Sequence, residues 1–524
     1  MNDQVPAGYG SPTTTDVHAP PAAPTGTSAG KGGLAILGAK IFFILTGLVQ
    51  QPVLVAVLGL GEYGAFSRIL APSNILNNVT VSASIQGASR TVAAAHEQGI
   101  PVLRRILRLH FVIAIALLVL FGVAAPGIAW FQGSPHIVPG LLAMACVLAL
   151  YAVYAPLVGS LNGRRLFVRQ AGLDVLAATL RTAGLIGLGY VFMHSGWRGA
   201  TGSALGALFA VSCIFPVALV VSGVLRSSGA PAAFDRRAYL KGIAGLALAQ
   251  FFTNLLMQVD IMALGHFLSR SPGAAAPEAD EWVGVYRSCQ LFAFLPYQLL
   301  FAVTQVLFPL LAKARSEGDH EAVKQLVSRG LRIGLLVTGL LVSVVVAMPR
   351  SLLRLVYPEV VAARGHDTLH LLALGQGLFA VLGLCTTVLA SLGRERRAAL
   401  ITGIATMLVG LLGFVFVPQA DFGLPQLQRM AAATTAGLLL ALVFGALAVV
   451  RIAKAFAPLR TTLRVALAVG LAFALGTVEP HVGKLVTLIM PVGIVLAYAI
   501  TLLVTGELGP SELAAIRGVL RRRT

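Results

Sequence analysis

GEYGAFSRILAPSNILNNVTVSASIQGASR, Gly61 to Arg90, is long enough to cross a bilayer, yet Arg68, Asn74, Asn77, Asn78 and Gln86 interrupt its apolar residues. Hydrocarbon offers such side chains no partner, so a helix carrying them cannot face lipid on every side. One face is expected to line a water-filled path. A cousin recurs roughly 220 residues later, as WVGVYRSCQLFAFLPYQLLFAVTQVLFPLLAKAR from Trp282 to Arg315, with Gly284, Tyr286 and Arg287 echoing Gly64, Phe66 and Arg68. The two stretches are expected to form facing walls of a substrate cavity.

The rest of the chain reads as membrane protein. Hydrophobic residues make up 57% of it and charged residues 11%, against about 25% charged in soluble domains. The mean hydropathy is +0.85. The net charge of +19 does not point to nucleic acid, because the basic residues lie between apolar runs without interleaved aromatics. Cys146, Cys213, Cys289 and Cys385 sit inside apolar segments with no metal-ligand spacing, so neither a disulfide framework nor a metal site is expected.

Spans of about 20 residues are expected at 33–59, 62–89, 107–131, 137–160, 171–194, 200–225, 241–267, 281–311, 329–349, 368–392, 398–418, 429–450, 462–478 and 485–505. The fold expected is therefore all-α and polytopic, with about 14 transmembrane helices. Residues 1–31, rich in Pro, Thr, Ala and Gly, are expected to be a disordered cytoplasmic tail. They do not read as a cleaved signal. Residues 32–237 form an N-terminal lobe of spans 1–6 and 238–455 a C-terminal lobe of spans 7–12. Two extra spans occupy 456–505, and 506–524 is a basic cytoplasmic tail. The stretch 312–332 reads as an amphipathic helix on the membrane surface.

The basic residues cluster in alternate connections, including Arg104, Arg105 and Arg108; Arg164, Arg165 and Arg169; Arg394, Arg396 and Arg397; and Arg521, Arg522 and Arg523. The intervening connections hold only Arg198, Arg270, Arg350, Arg354, Arg364, Arg429 and Lys484. This bias places both termini in the cytoplasm. The echo of Ser160-Leu-Asn-Gly-Arg-Arg in Ser391-Leu-Gly-Arg strengthens the reading of two six-helix units, and a doubled bundle with a central cleft is a transporter architecture.

GEYGAFSRIL, QVDIMALGHFLS, WVGVYR, VLFPLLAKARSEGD and ELGPSELAAIRGVLRRR together resemble the polysaccharide-transporter branch of the multidrug/oligosaccharidyl-lipid/polysaccharide exporter superfamily, the Wzx-like flippases. The resemblance runs from about Lys31 to Arg523. It implies two lobes that alternate access to carry an undecaprenyl-pyrophosphate-linked glycan, of O-antigen or exopolysaccharide type, across the bacterial inner membrane. It also implies a polysaccharide polymerase and a chain-length regulator as partners beside the membrane lipids, and it leaves a coupling H+ or Na+ open. A multidrug or other cation-coupled antiporter of the same superfamily is the alternative.

Within the spans stand Lys40, Arg68, Arg181 and Arg287, against Asp174 and Asp260. Each mid-membrane charge costs about 2.5–3.5 kcal/mol, so four cations facing lipid would cost roughly 10–14 kcal/mol. A cavity lined by the four would instead suit a phosphate-bearing or acidic glycan. Snorkelling to headgroups is the alternative for Lys40, Arg68 and Arg287, and an interhelical contact for Arg181. Asn77, Asn78, Gln86, Asn254 and Gln290 are expected to line the polar part of the cavity or to join helices. Asp260 reads either as an ion-coupling carboxylate or as the partner of an arginine such as Arg287. The cluster Glu278, Asp280 and Glu281 reads as a solvated loop. No general acid/base pair stands on an extramembrane platform, so an enzyme such as a glycosyltransferase is not expected.

Overall fold

A computed structural model describes residues 26–95, 98–225, 234–479 and 483–507. The expectations for residues 1–25 and for the tail beyond 507 lie outside them. The described residues hold sixteen α-helices and no strand. The chain is an all-helical, multi-pass membrane protein, and broad rows of apolar side chains, such as Val119, Leu120 and Val123 or Leu439, Leu440 and Phe444, face outward. Water would not tolerate that much contiguous apolar surface on one molecule, whereas lipid does.

The first helix, α1 (Gly26–Ala94), carries the whole opening stretch. It begins inside the segment 1–31 expected to be disordered, since a helix already formed over the apolar run extends backward at little cost. At Gly59 its backbone leaves helical values, with φ 72° and ψ 168°, a region open essentially to glycine alone. The apolar stretch Gly38–Ala94 has 57 residues, which at 1.5 Å per residue is about 85 Å, far beyond a hydrocarbon core of about 30 Å. The break at Gly59 therefore divides α1 into two crossing arms.

Against α1 pack α2 (Gly99–Phe131), α3 (Val138–Gly163), α4 (Phe167–His194) and α5 (Gly199–Ser222), forming the N-terminal bundle. A second bundle consists of α6 (Arg236–Leu256), α7 (Val259–Arg270), α8 (Ala276–Ala293), α9 (Leu295–Ser316), α10 (His320–Ala347), the short α11 (Pro349–Val356), α12 (Glu359–Ser391), α13 (Glu395–Phe416) and α14 (Leu424–Ala453). Finally α15 (Leu459–Gly476) and α16 (Lys484–Val504) pack on α10, where Gly339 leaves room for Val465 and Tyr498.

Eleven described helices are long and apolar enough to span, or twelve when α6 and α7, bent by 45°, are taken as one. The expected fourteen counts the two arms of α1, which the break at Gly59 separates into 33–59 and 62–89, as two spans rather than one apolar stretch. It also counts 281–311, which the structure divides at Phe294 into α8, carrying Glu278, Asp280, Glu281 and Arg287, and α9. No separate surface helix occupies 312–332. A tight turn at Gly318 (φ 72°) joins α9 directly to α10, so those polar residues are the ends of two long helices. The ends that gather the basic residues are also tied by them: Arg104 and Arg164 donate to the carbonyls of Val224, just beyond α5, and Ser222, its last residue, satisfying a helix terminus.

Candidate functional site

The two echoing stretches meet face to face. A Cβ on Gly64 would collide with the Asp280 carbonyl, and one on Gly284 would lie 2.6 Å from the Leu60 carbonyl, so α1 and α8 cross backbone against backbone at two glycines. Small residues permit such an approach. Four residues beyond Gly64, on the same helix face, Arg68 is 1% exposed. Its Nε lies 2.7 Å from Asp280, and its Nη1 donates to the carbonyls of Gln132 (2.8 Å) and Gly265 (2.9 Å). His136, in the turn before α3, stands 2.8 Å from the other Asp280 oxygen.

Arg68 thus corrects the expectation of a cavity-lining cation: it closes an ion pair between the bundles. Asp280 corrects the solvated-loop reading, being 2% exposed. The signal was its place four residues before Gly284, on the face turned to α1. Arg68 and Arg287 also lack equivalent roles. Counted from Gly64 and Gly284 they stand at the fourth and third positions, and one residue turns a helical side chain by about 100°.

Arg287 faces elsewhere. Deeper between the bundles lies a cavity of about 410 Å³, lined by Phe43, Gln51, Gln258, Arg287, Gln290 and Gln298 among others. The interruptions after Leu256 and at Phe294 both open onto it; backbone that leaves the helix at membrane depth is tolerated where it borders such a cavity. Arg287 donates to Gln290 (2.8 Å), and Gln290 donates to both Asp260 oxygens (3.1 and 3.2 Å). Tyr286 donates to Asp260 at 2.9 Å and the Ile261 N–H at 2.8 Å. Asp260, 1% exposed, is therefore no direct partner of Arg287. Its carboxylate is held by neutral donors, with Gln290 relaying between it and the arginine. Gln51 in the opposite wall accepts from Tyr63 at 2.6 Å.

The other expected site residues are spread along the N-terminal bundle and the interface. Lys40 is exposed, one turn before the cavity residues Phe43 and Ile44, and acts electrostatically on Asp174. Arg181 is half-buried near Tyr151, makes no ion pair among the described residues, and does not border the 410 Å³ cavity. Asn78 donates to Asn254 (2.9 Å), joining α1 to α6 rather than lining the cavity. Asn77 and Gln86 are half-buried on α1, and neither borders it. Of the four cations, one lines this cavity; the assembled cluster of four does not form. The aromatic lining of Phe43, Phe294 and Tyr297, the relay hydroxyl of Tyr286 and the amide of Gln298 were missed, since apolar helices are full of such residues and only packing selects those that matter.

A helical membrane bundle of two packed halves meeting over a polar cavity defines the class. Residues 246–415 match the MatE family. No curated protein matches the chain in sequence. Among solved structures, the lipid II flippase MurJ in an inward closed conformation superposes with a TM-score of 0.68 at 15% identity, covering 90% of this chain and 97% of that one. A multidrug resistance MATE family transporter of the MOP superfamily, inward-facing, gives 0.63 at 15% identity over 79% and 96%. A MOP superfamily transporter from Pyrococcus furiosus, described as having a binding pocket of reverse polarity, gives 0.57 at 16% over 81% and 96%. The fold is therefore MATE- and MurJ-like.

Proposed function

We propose that the protein is a flippase that moves a lipid-linked, undecaprenyl-pyrophosphate-bearing oligosaccharide or polysaccharide precursor across the bacterial inner membrane by alternating access, with both termini in the cytoplasm. The observation that carries this reading is the polarity of the central cavity. Its one charged lining residue is Arg287, surrounded by Gln51, Gln258, Gln290 and Gln298, while the nearest carboxylate, Asp260, is buried and saturated by donors. A guanidinium with amides suits pyrophosphate and sugar hydroxyls; a cationic drug would want a carboxylate facing it. Lys40 at the approach would guide the anion. The MurJ-like fold fits the same reading, and the polymerase and chain-length regulator expected from the sequence resemblance would act downstream.

A multidrug antiporter is the second reading, favoured by the MatE match over 246–415, which contains Asp260. There Asp260 would bind H+ or Na+ once the Gln290 relay lets go. The test is deletion of the gene followed by analysis of lipid-linked intermediates. The flippase reading expects an undecaprenyl-linked glycan to accumulate, with relief by wild type and not by Arg287→Ala at equal membrane levels. No accumulation, together with drug efflux that rises on expression, would replace it with the antiporter.

A further inference from the structure

At the end of the C-terminal bundle where the basic connections gather, α9, α10, α12 and α14 enclose a second concavity, of about 560 Å³, which transport through the central cavity does not use. Its basic lining is Arg315, Lys324, Arg394 and Lys454, with His320 beside them and Asp319 the one carboxylate. Asp319 is already committed, accepting from the Ala322 N–H (2.8 Å) as the cap of α10. Lys324 lies 3.1 Å from Glu321. Arg315, Arg394 and Lys454 form no ion pair with any described residue.

Two backbone features hold these cations together. Lys454 ends α14 in the left-handed region (φ 50°, ψ 29°), where glycine is the usual occupant. Gly393 ends α12 at φ 68°, and a Cβ there would occupy the space of the Arg315 guanidinium, which lies over its bare backbone. Attraction of cations to helix C-terminal carbonyls explains basic residues near these ends. It does not explain a shared hollow in which the cations outnumber the one carboxylate, Asp319, and like charges repel.

We propose that this hollow is an anion site for a phosphate group, gripped by the forked guanidiniums of Arg315 and Arg394 and the ammonium of Lys454. Val323, Leu392 and Ile452 supply its apolar floor. The same chemistry is presented by the headgroup of an anionic phospholipid and by soluble phosphate, and the proposal stands apart from the transport reading.

The full-length protein is reconstituted in phosphatidylcholine nanodiscs containing phosphatidylglycerol, and the retained anionic lipid is counted by native mass spectrometry. In parallel, inorganic phosphate is titrated calorimetrically into protein in neutral detergent. The variant Arg315→Gln/Arg394→Gln/Lys454→Gln is compared with Arg396→Gln/Arg397→Gln, which removes charge on the same end outside the hollow. Wild type and the second variant should bind alike, and the triple variant at least about tenfold more weakly. Loss in the lipid arm alone assigns a headgroup; loss in the phosphate arm assigns the soluble anion. Gly393→Ala, which keeps every charge but crowds Arg315, should weaken binding in the same arm. Equal binding by all variants, equal loss in both charge variants, or no binding by wild type in either arm overturns the proposal.

Discussion

Replacing Arg68 with alanine would leave Asp280 buried between α1 and α8 with only His136 beside it. Removing one partner of a buried pair costs about 3–5 kcal/mol, because the other charge is stranded. Arg68→Ala is therefore expected to lower the melting temperature in detergent and the amount of protein in the membrane. Arg287→Ala should do neither, since Arg287 is half-exposed and donates only to Gln290. Two arginines that look alike in sequence are separated by this contrast, and equal melting temperatures for the two variants would remove it. Glu507 gives a residue-scale dependence on pH. Burial pushes its carboxyl up, but hydrogen bonds from Thr461, Arg332 and Arg464 outweigh that and hold it below its usual range. Stability from a lowered carboxyl is present above its unfolded value and lost as pH falls through the folded one. The melting-temperature gap between wild type and Glu507→Gln should be open at neutral pH and close below about pH 4.

At the scale of elements, the crossing of α1 with α8 depends on two absent side chains. Gly64→Ala would drive a methyl into the backbone carbonyl of Asp280, which cannot rotate away as a side chain could. Overpacking of this kind costs typically about 1–3 kcal/mol, and here the relief is to part the helices. In a background without the four native cysteines, a cysteine at Val283, fully buried behind the crossing, should react faster with a membrane-impermeant thiol reagent once Gly64 is alanine. Unchanged reactivity would show that the crossing does not seal this end.

Across the described molecule, contacts tie the bundles at three levels in series. Arg68 with Asp280 closes one end, Asn78 with Asn254 the middle, and His110 with Tyr239 the other, at 2.9 Å between Nε2 and the hydroxyl. A molecule that exposes its cavity to each side in turn must break these in alternation. On the proposed flippase reading, bridging Asn78→Cys to Asn254→Cys with a cleavable bifunctional thiol reagent should stop glycan export, and cleavage of the bridge should restore it. Export that continues while the bridge is intact would rule out separation of α1 from α6 as part of the cycle.

Composition and apolar run length by themselves determined an all-helical, multi-pass membrane protein, because the cost of bare backbone in hydrocarbon leaves a long apolar chain no other form. The paired glycine-and-arginine stretches also marked the helices that meet between the bundles, since polar load in a span needs a protein or water neighbour. Which cation faces the cavity was a matter for tertiary structure. Arg68 and Arg287 differ by a single helical step, and whether an arginine meets Asp280 or open space depends on how α8 is rotated against α1. The same holds for Asp260, whose partners Tyr286 and Gln290 are chosen by helix packing, and for Asp280, an ordinary loop acid in the sequence and a buried counter-ion in the fold. Hydrophobic pattern records how deep a residue lies; the direction its side chain points is settled only when the helices come together.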